Sequence, residues 1–244
     1  MDRPVLLLDL GNRRLKLADL QAGQQGPVES LGLPREEAAW PPFTEALARR
    51  AAGRPVRLSS VHPAALARLR PGLEAAACRL DLAGEHGWPM EVRSRGTGAD
   101  RVMAAWAAWR RCGAALAVAD CGTAFTLDLV DGAGVFRGGA IGPGLGVQVA
   151  ALAAACPHLP APGPSFGVLP EDSAAAVAAG TRGALAASLE GLRVRFGASL
   201  GAELRGFLTG GDAGALRPEL GPGWTLAEDL VLEGLAAWTP GRVG

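Results

Sequence analysis

The sequence predicts an α/β protein made of two similar half-domains. Near its start, the apolar run VLLL leads into the polar turn DLGN at residues 9–12, and an alternating run, RLKLADL, follows. The same plan returns at DCGT, residues 120–123, between the runs LAVA and AFTLDLV. Such paired runs around a glycine-bearing turn are typical of β-hairpins. Helical segments separate the two hairpins, so each half is expected to begin with a sheet that helices then cover.

The chain length supports this division. Its 244 residues suffice for two domains of roughly 110 to 130 residues each. We place the boundary after residue 112, which gives an N-terminal half of residues 1–112 and a C-terminal half of residues 113–244. A nucleotide is expected in the cleft between the halves.

The first half alternates strands and helices after its hairpin. RPVRLSSV, residues 54–61, predicts a strand that ends in Ser59 and Ser60, which either approach a ligand or cap the next helix. The other predicted elements are an edge strand at 28–33, helices at 36–52, 64–70, 72–80 and 102–112, and a short strand at 89–93.

The second half contains more glycine and proline. Its second hairpin turns at DGAG, residues 131–134, and leaves through GGAIGPG, residues 138–144. Helices are predicted at 144–155, at 174–180 with Asp172 and Ser173 as its cap, at 181–195 and at 229–238, strands at 204–208 and 224–226, and a proline-rich connection at 156–167.

Charge and composition exclude several classes of partner. Acidic and basic residues balance at 24 each without a basic block, so neither nucleic acid nor an anionic membrane surface is expected. No uncharged apolar run reaches the roughly 18 residues of a membrane span, and we predict a cytoplasmic protein. Cys78, Cys112, Cys121 and Cys156 form no CxxC pair, which argues against a zinc site or a disulfide framework. Cys121 is either a nucleophile or a buried thiol at a strand end.

The polar turns carry groups that suit phosphate chemistry. Asp120 offers a carboxylate for a cation, Thr123 offers a hydroxyl for a phosphate oxygen, and Gly122 lets the backbone approach a ligand. An ordinary hairpin tip is the alternative, but the repetition of the turn at Asp9 favours a nucleotide site.

A third polar segment, GTGADR, opens the helix predicted at 102–112. Asp100 and Arg101 stand where free backbone N–H groups and the helix dipole attract anions. Asp100 as a simple N-cap is the alternative. Arg101 argues against it, because a cation at a helix start is unfavourable unless it holds an anion.

Together these motifs resemble those of a known superfamily. DLGN with Lys16, then DCGT, then TGG at 209–211 are similar to the phosphate-1, phosphate-2 and adenosine motifs of the actin-like ATPases, which include sugar kinases, Hsp70 and actin. GADR at 98–101, SSVxP at 59–63, GGAIGPG, TGGDA at 209–213 and DLVLEGL at 229–235 narrow the resemblance to the type III pantothenate kinases. It covers nearly the whole chain and implies two half-domains of the actin-like ATPase, ribonuclease H-like, type.

The resemblance implies ATP-dependent phosphorylation of pantothenate to 4'-phosphopantothenate, the first step of coenzyme A biosynthesis, by a homodimer. Asp100 would be the general base and Arg101 would hold the pantothenate carboxylate. Asp9 would lie near Mg²⁺, and Asp120 would hold a monovalent cation, K⁺ or NH₄⁺. The implied pantothenate-binding residues are Gly98, Ala99, Asp100, Arg101 and Ser173, and the implied ATP-binding residues are Asp9, Leu10, Gly11, Asn12, Arg13, Arg14, Leu15, Lys16, Thr123, Gly210 and Gly211.

Two positions depart from the family pattern. Arg13 stands where a threonine is usual, and Glu91 stands roughly where a tyrosine lines the pantothenate pocket. Three classes therefore stay open: an active kinase, a weakly active or inactive nucleotide-binding relative with a regulatory role, and another superfamily member such as a sugar kinase or a polyphosphate hydrolase. GADR and the compact length favour the first.

Overall fold

The chain forms two compact units, which are described here from a computed structural model. The structure describes residues 4–77 and 79–241, so Cys78 and the ends of both expected half-domains lie outside the described residues. One unit comprises Met1–Arg110 with Asp229–Gly244, and the other comprises Arg111–Glu228. The expected C-terminal half, 113–244, therefore differs from the second unit in its last segment, whose helix packs on the sheet of the first unit.

The first unit is built around a mixed sheet. Its strand order is β3-β2-β1-β5-β6, with β4 also paired to β2. β1 runs antiparallel to β2, which confirms the predicted hairpin, and parallel to β5. The elements are β1 (Val5–Leu10), β2 (Arg14–Gln21), β3 (Gln24–Gln25), β4 (Glu29–Gly32), α1 (Trp40–Ala51), β5 (Pro55–Ser60), α2 (Pro63–Ala76), β6 (Arg79–Leu82) and α3 (Ala99–Cys112), joined by the C-terminal helix.

Side chains along β1 and β5 point alternately to the two faces of the sheet, and both faces are covered by helices. Leu8 and Leu58 belong to a core with Leu47 of α1 and Leu69 of α2. Arg57 points to the other face, where its guanidinium donates to the carbonyl oxygens of Leu235 and Ala236, both at 2.9 Å. The C-terminal helix is thereby fixed against the sheet.

The second unit has a five-stranded sheet in the order β11-β10-β7-β8-β9. Both predicted hairpins are confirmed, because β8 pairs antiparallel with β7 on one side and with β9 on the other. The elements are β7 (Leu116–Cys121), β8 (Ala124–Val130), β9 (Phe136–Pro143), α4 (Leu145–Ala155), α5 (Ser173–Ala178), α6 (Ala184–Leu200), β10 (Arg205–Thr209), α7 (Ala213–Leu216) and β11 (Trp224–Leu226), and α8 (Leu230–Ala237) follows in the first unit.

Three local predictions were wrong. The two predicted helices at 64–70 and 72–80 are one helix, Pro63–Ala76, that continues through Pro71, and Arg79–Leu82 is a parallel strand beside β5. RLDL is too short to reveal a period, so its sequence does not distinguish it from the adjacent helix. Residues 89–93 form no extended strand in the described chain. Neither serine at the end of β5 caps α2, because the His62 side chain accepts the Ala65 N–H at 3.3 Å.

None of the helices in the described part of the chain combines the length and the apolarity that a bilayer crossing requires.

Candidate functional site

The first acidic turn is anchored by its apolar neighbours and projects polar side chains. Leu10 and Leu15 pair across the hairpin and are fully buried. The Gly11 N–H donates to the Arg14 carbonyl at 3.0 Å and closes the turn. Asn12, Arg13 and Arg14 are exposed, and Arg14 also donates to the Ser30 hydroxyl at 3.2 Å. The tip is therefore an open, basic surface above a buried leucine pair.

Three polar residues meet on the inner strands just below this tip. Asp9 on β1 is paired with Lys16 on β2 and with Ser59 on β5. Residues directly opposite in a sheet point to the same face, so the three side chains share one face. Ser59 is fully buried, and its hydroxyl has no hydrogen-bond partner among the described residues.

Lys16 is tied to a distant part of the chain. Its ammonium donates to Asp229 Oδ1 at 2.7 Å. Asp229 directly precedes α8 and has left-handed backbone angles, φ 53° and ψ 30°. The sequence places Asp229 in a helix start and in the DLVLEGL motif but does not predict its contact with Lys16, because no local signal links residues 213 positions apart.

Asp100 lies inside the first turn of α3, which begins at Ala99, and so it is not the residue that precedes the helix. Its Oδ1 accepts the Arg101 N–H at 2.8 Å. A methyl group on Gly98 would lie 2.6 Å from this oxygen and 3.0 Å from Val61, so a larger residue at position 98 would displace the Asp100 carboxylate. Burial raises the pKa of Asp100, although the Arg101 N–H and guanidinium partly offset the effect. A raised pKa makes a carboxylate a better proton acceptor.

The second acidic turn is packed against other backbone. Asp120 pairs with Thr209, and the glycine after Thr209 has a φ of +94°. A methyl group on Gly210 would overlap the Asp120 carboxylate and would lie 2.5 Å from the Cys121 carbonyl oxygen. The DCGT and TGG turns are thus held in direct contact by glycine.

A third glycine closes this cluster from the side of α4. The Gly144 N–H donates to the Thr123 carbonyl at 3.0 Å, and a methyl group there would overlap the Gly122 carbonyl oxygen. The cluster therefore contains the Asp120 carboxylate and the backbone carbonyl oxygens of residues 121–123, of which those of Cys121 and Thr123 accept the N–H groups of Asp212 and Gly144. Oxygen ligands of this kind suit a hard or monovalent cation. No group of three or more His, Cys, Asp or Glu side chains within the described residues could hold a metal ion by itself.

The thiol in the same turn is not a nucleophile at neutral pH. Cys121 is buried, and burial, together with the charges of Asp120 and Asp212, raises its pKa to about 12. The thiolate is the nucleophilic form. At neutral pH the side chain stays a protonated strand-end thiol, which was the second of the two interpretations.

Of the other predicted residues, Ala99 is buried at the start of α3, and three lie at the surface. Thr123 and Gly211 are exposed at the tips of their turns. Ser173 is exposed at the start of α5, where the Asp172 carboxylate accepts the Ala175 N–H at 2.8 Å. A groove of about 670 Å³ adjoins this helix start, lined by residues 163–169, 171, 172, 174 and 175.

The two departures from the family pattern are also exposed. The Glu91 carboxylate accepts the Arg93 Nε–H at 2.6 Å, and both side chains are more than half exposed. Arg13 extends from the hairpin tip. Because both side chains are exposed, neither substitution disturbs the packing of the fold.

The fold resembles that of actin-like proteins. A structure of a conserved Baf family protein from Campylobacter jejuni matches with a TM-score of 0.67 at 17% identity, covering 94% of each chain. An archaeal actin homologue matches with a TM-score of 0.53 at 12% identity, covering 96% of this chain and 98% of that one. At such identities the likeness concerns the fold alone. It confirms the predicted α/β class with two actin-like half-domains.

Sequence comparison identifies the family. The sequence model of the type III pantothenate kinases matches residues 5–195. A type III pantothenate kinase of Laribacter hongkongensis is 34% identical over 243 residues, which covers 95% of this chain and 97% of the relative. The resemblance that the motifs predicted is thus confirmed over most of the chain, and the protein belongs to the type III pantothenate kinase family.

Proposed function

We propose that this protein is a kinase that uses ATP to phosphorylate pantothenate to 4'-phosphopantothenate, the first step of coenzyme A biosynthesis. The observation that carries the proposal is the GADR segment. It sets a carboxylate with a raised pKa beside a guanidinium at the start of α3, with a glycine whose hydrogen side chain makes room for the carboxylate. Family membership supports the same reaction.

In this proposal Asp100 is the general base. The primary hydroxyl oxygen of pantothenate attacks the γ-phosphorus of ATP, the bond to the β,γ-bridging oxygen breaks, and ADP leaves with that electron pair. Asp100 accepts the hydroxyl proton as the new bond forms, and Arg101 pairs with the pantothenate carboxylate. Phosphoryl transfer needs positioning and charge neutralisation more than covalent help, which fits a site without a nucleophilic side chain.

The two acidic turns have different proposed tasks. We assign the ATP phosphates to the first turn, where Asn12 and Lys16 offer hydrogen-bond donors, with Mg²⁺ near Asp9. We assign a monovalent cation, K⁺ or NH₄⁺, to Asp120 and the carbonyl oxygens around it. Bound cations would supply neutralisation of the phosphate charge during transfer.

We further propose that the protein works as a homodimer through the second unit. α4, LGVQVAALAAA, contains one polar side chain yet has no buried residue. Ile141 on the neighbouring strand is 63% exposed, and Val168 and Leu169 are 98% and 79% exposed. A largely apolar helix beside exposed apolar side chains is typical of an interface between subunits. Ser173 starts α5 beside the groove that Val168 and Leu169 line, where a second copy would bring it near a bound substrate.

The regulatory alternative depends on Arg13 and Glu91. Both are exposed, and Glu91 is engaged by Arg93 in a surface ion pair, so neither change alters the GADR segment or the second acidic turn. A cytoplasmic location stays a prediction from the sequence.

A coupled assay of ADP release with a panel of acceptors tests the function. Pantothenate should stimulate ADP release, with one 4'-phosphopantothenate formed per ADP, whereas hexoses and water should not. ADP release with a sugar would identify another member of the superfamily, and ATP binding without turnover on any acceptor would favour the regulatory relative.

A further inference from the structure

We infer that Asp229 is a positioning residue for Lys16, holding its ammonium at the hairpin face to which we assign the ATP phosphates. This inference deepens the proposed function and rests on it for the identity of the ligand. The contact itself, Nζ to Oδ1 at 2.7 Å, is independent of that assignment.

The backbone conformation of Asp229 indicates that its carboxylate serves to bind Lys16 and not to cap α8. An aspartate before a helix normally has extended backbone angles and accepts an N–H from the first helical turn. Here the backbone is left-handed, one of two such cases among the non-glycine residues that the structure describes, and the side chain makes no capping bond to α8. A left-handed aspartate is tolerated but unfavourable without compensation. The ion pair with Lys16 supplies that compensation.

The position of Lys16 indicates that its ammonium, held by Asp229, can bind an anion. It lies directly opposite Asp9, two residues after the exposed tip of the hairpin. It is also the only lysine in a chain that otherwise uses arginine for its cations. The ion pair is only partly buried, with side-chain exposures of 35% for Lys16 and 26% for Asp229, so an anion can reach the ammonium without unfolding α8.

The last helix thereby becomes part of the phosphate site. α8 is fixed to the sheet at its other end by Arg57, and Gly234 lets it approach α3 so closely that a methyl group would overlap the Met103 carbonyl oxygen. A helix held at these two points fixes Asp229. A flexible lysine side chain anchored by a fixed carboxylate is presented in one place, which favours affinity for a phosphate by reducing the ordering cost of binding.

The single lysine makes this proposal directly measurable. We suggest amine acylation of the full protein, with the rate at Lys16 read by peptide mass spectrometry, in the presence and absence of Mg²⁺ and the non-hydrolysable ATP analogue AMP-PNP. Asp229→Asn should raise the rate without nucleotide roughly three- to tenfold, the effect of a charge-assisted bond discounted for its exposure. AMP-PNP should protect Lys16 in the wild type and much less in Asp229→Asn, whereas Asp229→Glu should keep part of the protection.

Asp19→Asn is the matched control. It breaks an ion pair of similar length on the same strand, Asp19 Oδ1 to the Arg54 guanidinium at 2.6 Å, away from the hairpin tip. It should leave both the acylation rate and the protection of Lys16 unchanged. In turnover, Asp229→Asn should lower kcat/KM for ATP by roughly 10- to 100-fold with little change in KM for pantothenate, the range that misplacement of a positioned group produces.

The outcomes separate the two proposals. Equal acylation of Lys16 in wild type and Asp229→Asn, or unchanged protection by AMP-PNP, would overturn the positioning role whatever the enzyme phosphorylates. Protection that depends on Asp229 in a protein that does not phosphorylate pantothenate would support the positioning role and reject the proposed reaction.

Discussion

The two acidic turns have nearly the same sequence pattern and opposite surroundings. The turn after Asp9 is open, carries exposed arginines and stands beside Lys16, which Asp229 holds. The turn after Asp120 is packed against backbone on two sides, because Gly210 and Gly144 bring two other segments against it, and only its tip at Thr123 is exposed. Donors and positive charge dominate the first, and oxygen atoms dominate the second. The pattern therefore determines the hairpin, and segments distant in the sequence determine its surroundings.

The largest expected effect lies outside both turns, at Asp100. Asp100→Asn keeps the shape of the side chain but removes its ability to accept a proton. Turnover of pantothenate should fall roughly 10²- to 10⁴-fold, the usual range for loss of a general base. Because neither acidic turn is altered, calorimetric titration should show ATP affinity like that of wild type. Full turnover in Asp100→Asn would show that the proton leaves by another route.

The raised pKa of Asp100 predicts a pH dependence of known sign. The base must be ionised, so kcat/KM for pantothenate should rise with pH, with its acid limb above the ordinary value of 3.8. The native state binds this proton more tightly than the unfolded state, so ionisation of Asp100 lowers the free energy of unfolding as pH rises through this range. Asp100→Asn should therefore be at least as stable as wild type at pH 7, and the difference should disappear in acid. A less stable variant at pH 7 would contradict this account.

Alanine substitutions of one glycine at each turn should differ in their effect on stability. Gly210→Ala forces a left-handed alanine whose methyl group overlaps Asp120, and we expect a loss of about 1–3 kcal/mol in the free energy of unfolding. Gly11→Ala places its methyl group 3.4 Å from the Arg14 carbonyl, close to ordinary contact, and stability should stay within about 1 kcal/mol of wild type. Denaturant unfolding of both variants measures the difference. Equal losses would mean that the second turn is no more enclosed than the first.

These contrasts also show what sequence can and cannot predict. The hairpins could be predicted because alternating strands and glycine turns are patterns of neighbouring residues. The GADR segment could be located because its four residues are consecutive in the sequence. The enclosure of Asp120 by Gly210 and the hold of Asp229 on Lys16 join residues far apart, and no local pattern records such contacts. α8 was predicted as a helix, but its packing on the first sheet depends on Arg57, which reads locally as a polar residue within a strand.

The smallest expected effect concerns Arg13. It is exposed at the open turn, where other donors and Lys16 are already present. Arg13→Ala and Arg13→Thr should each leave the calorimetric affinity for ATP within about twofold of wild type, as is usual for surface substitutions. Arg14→Ala serves as the neighbouring control. A tenfold loss in Arg13→Ala alone would place its guanidinium on a phosphate, and a gain in Arg13→Thr would mean that it obstructs the site.

The division of charge between the turns is tested most directly by the response of turnover to monovalent cations. Initial rates of pantothenate phosphorylation should be measured in Na⁺, K⁺ and NH₄⁺ at constant ionic strength, for wild type, Asp120→Asn and the control Asp131→Asn, whose carboxylate closes a different hairpin turn of the same sheet. We predict that K⁺ and NH₄⁺ raise the rate in wild type and in the control, and that Asp120→Asn loses this response. A wild type that ignores the cation, or an Asp120→Asn variant that retains the full response, would contradict the assignment of the second turn to a cation.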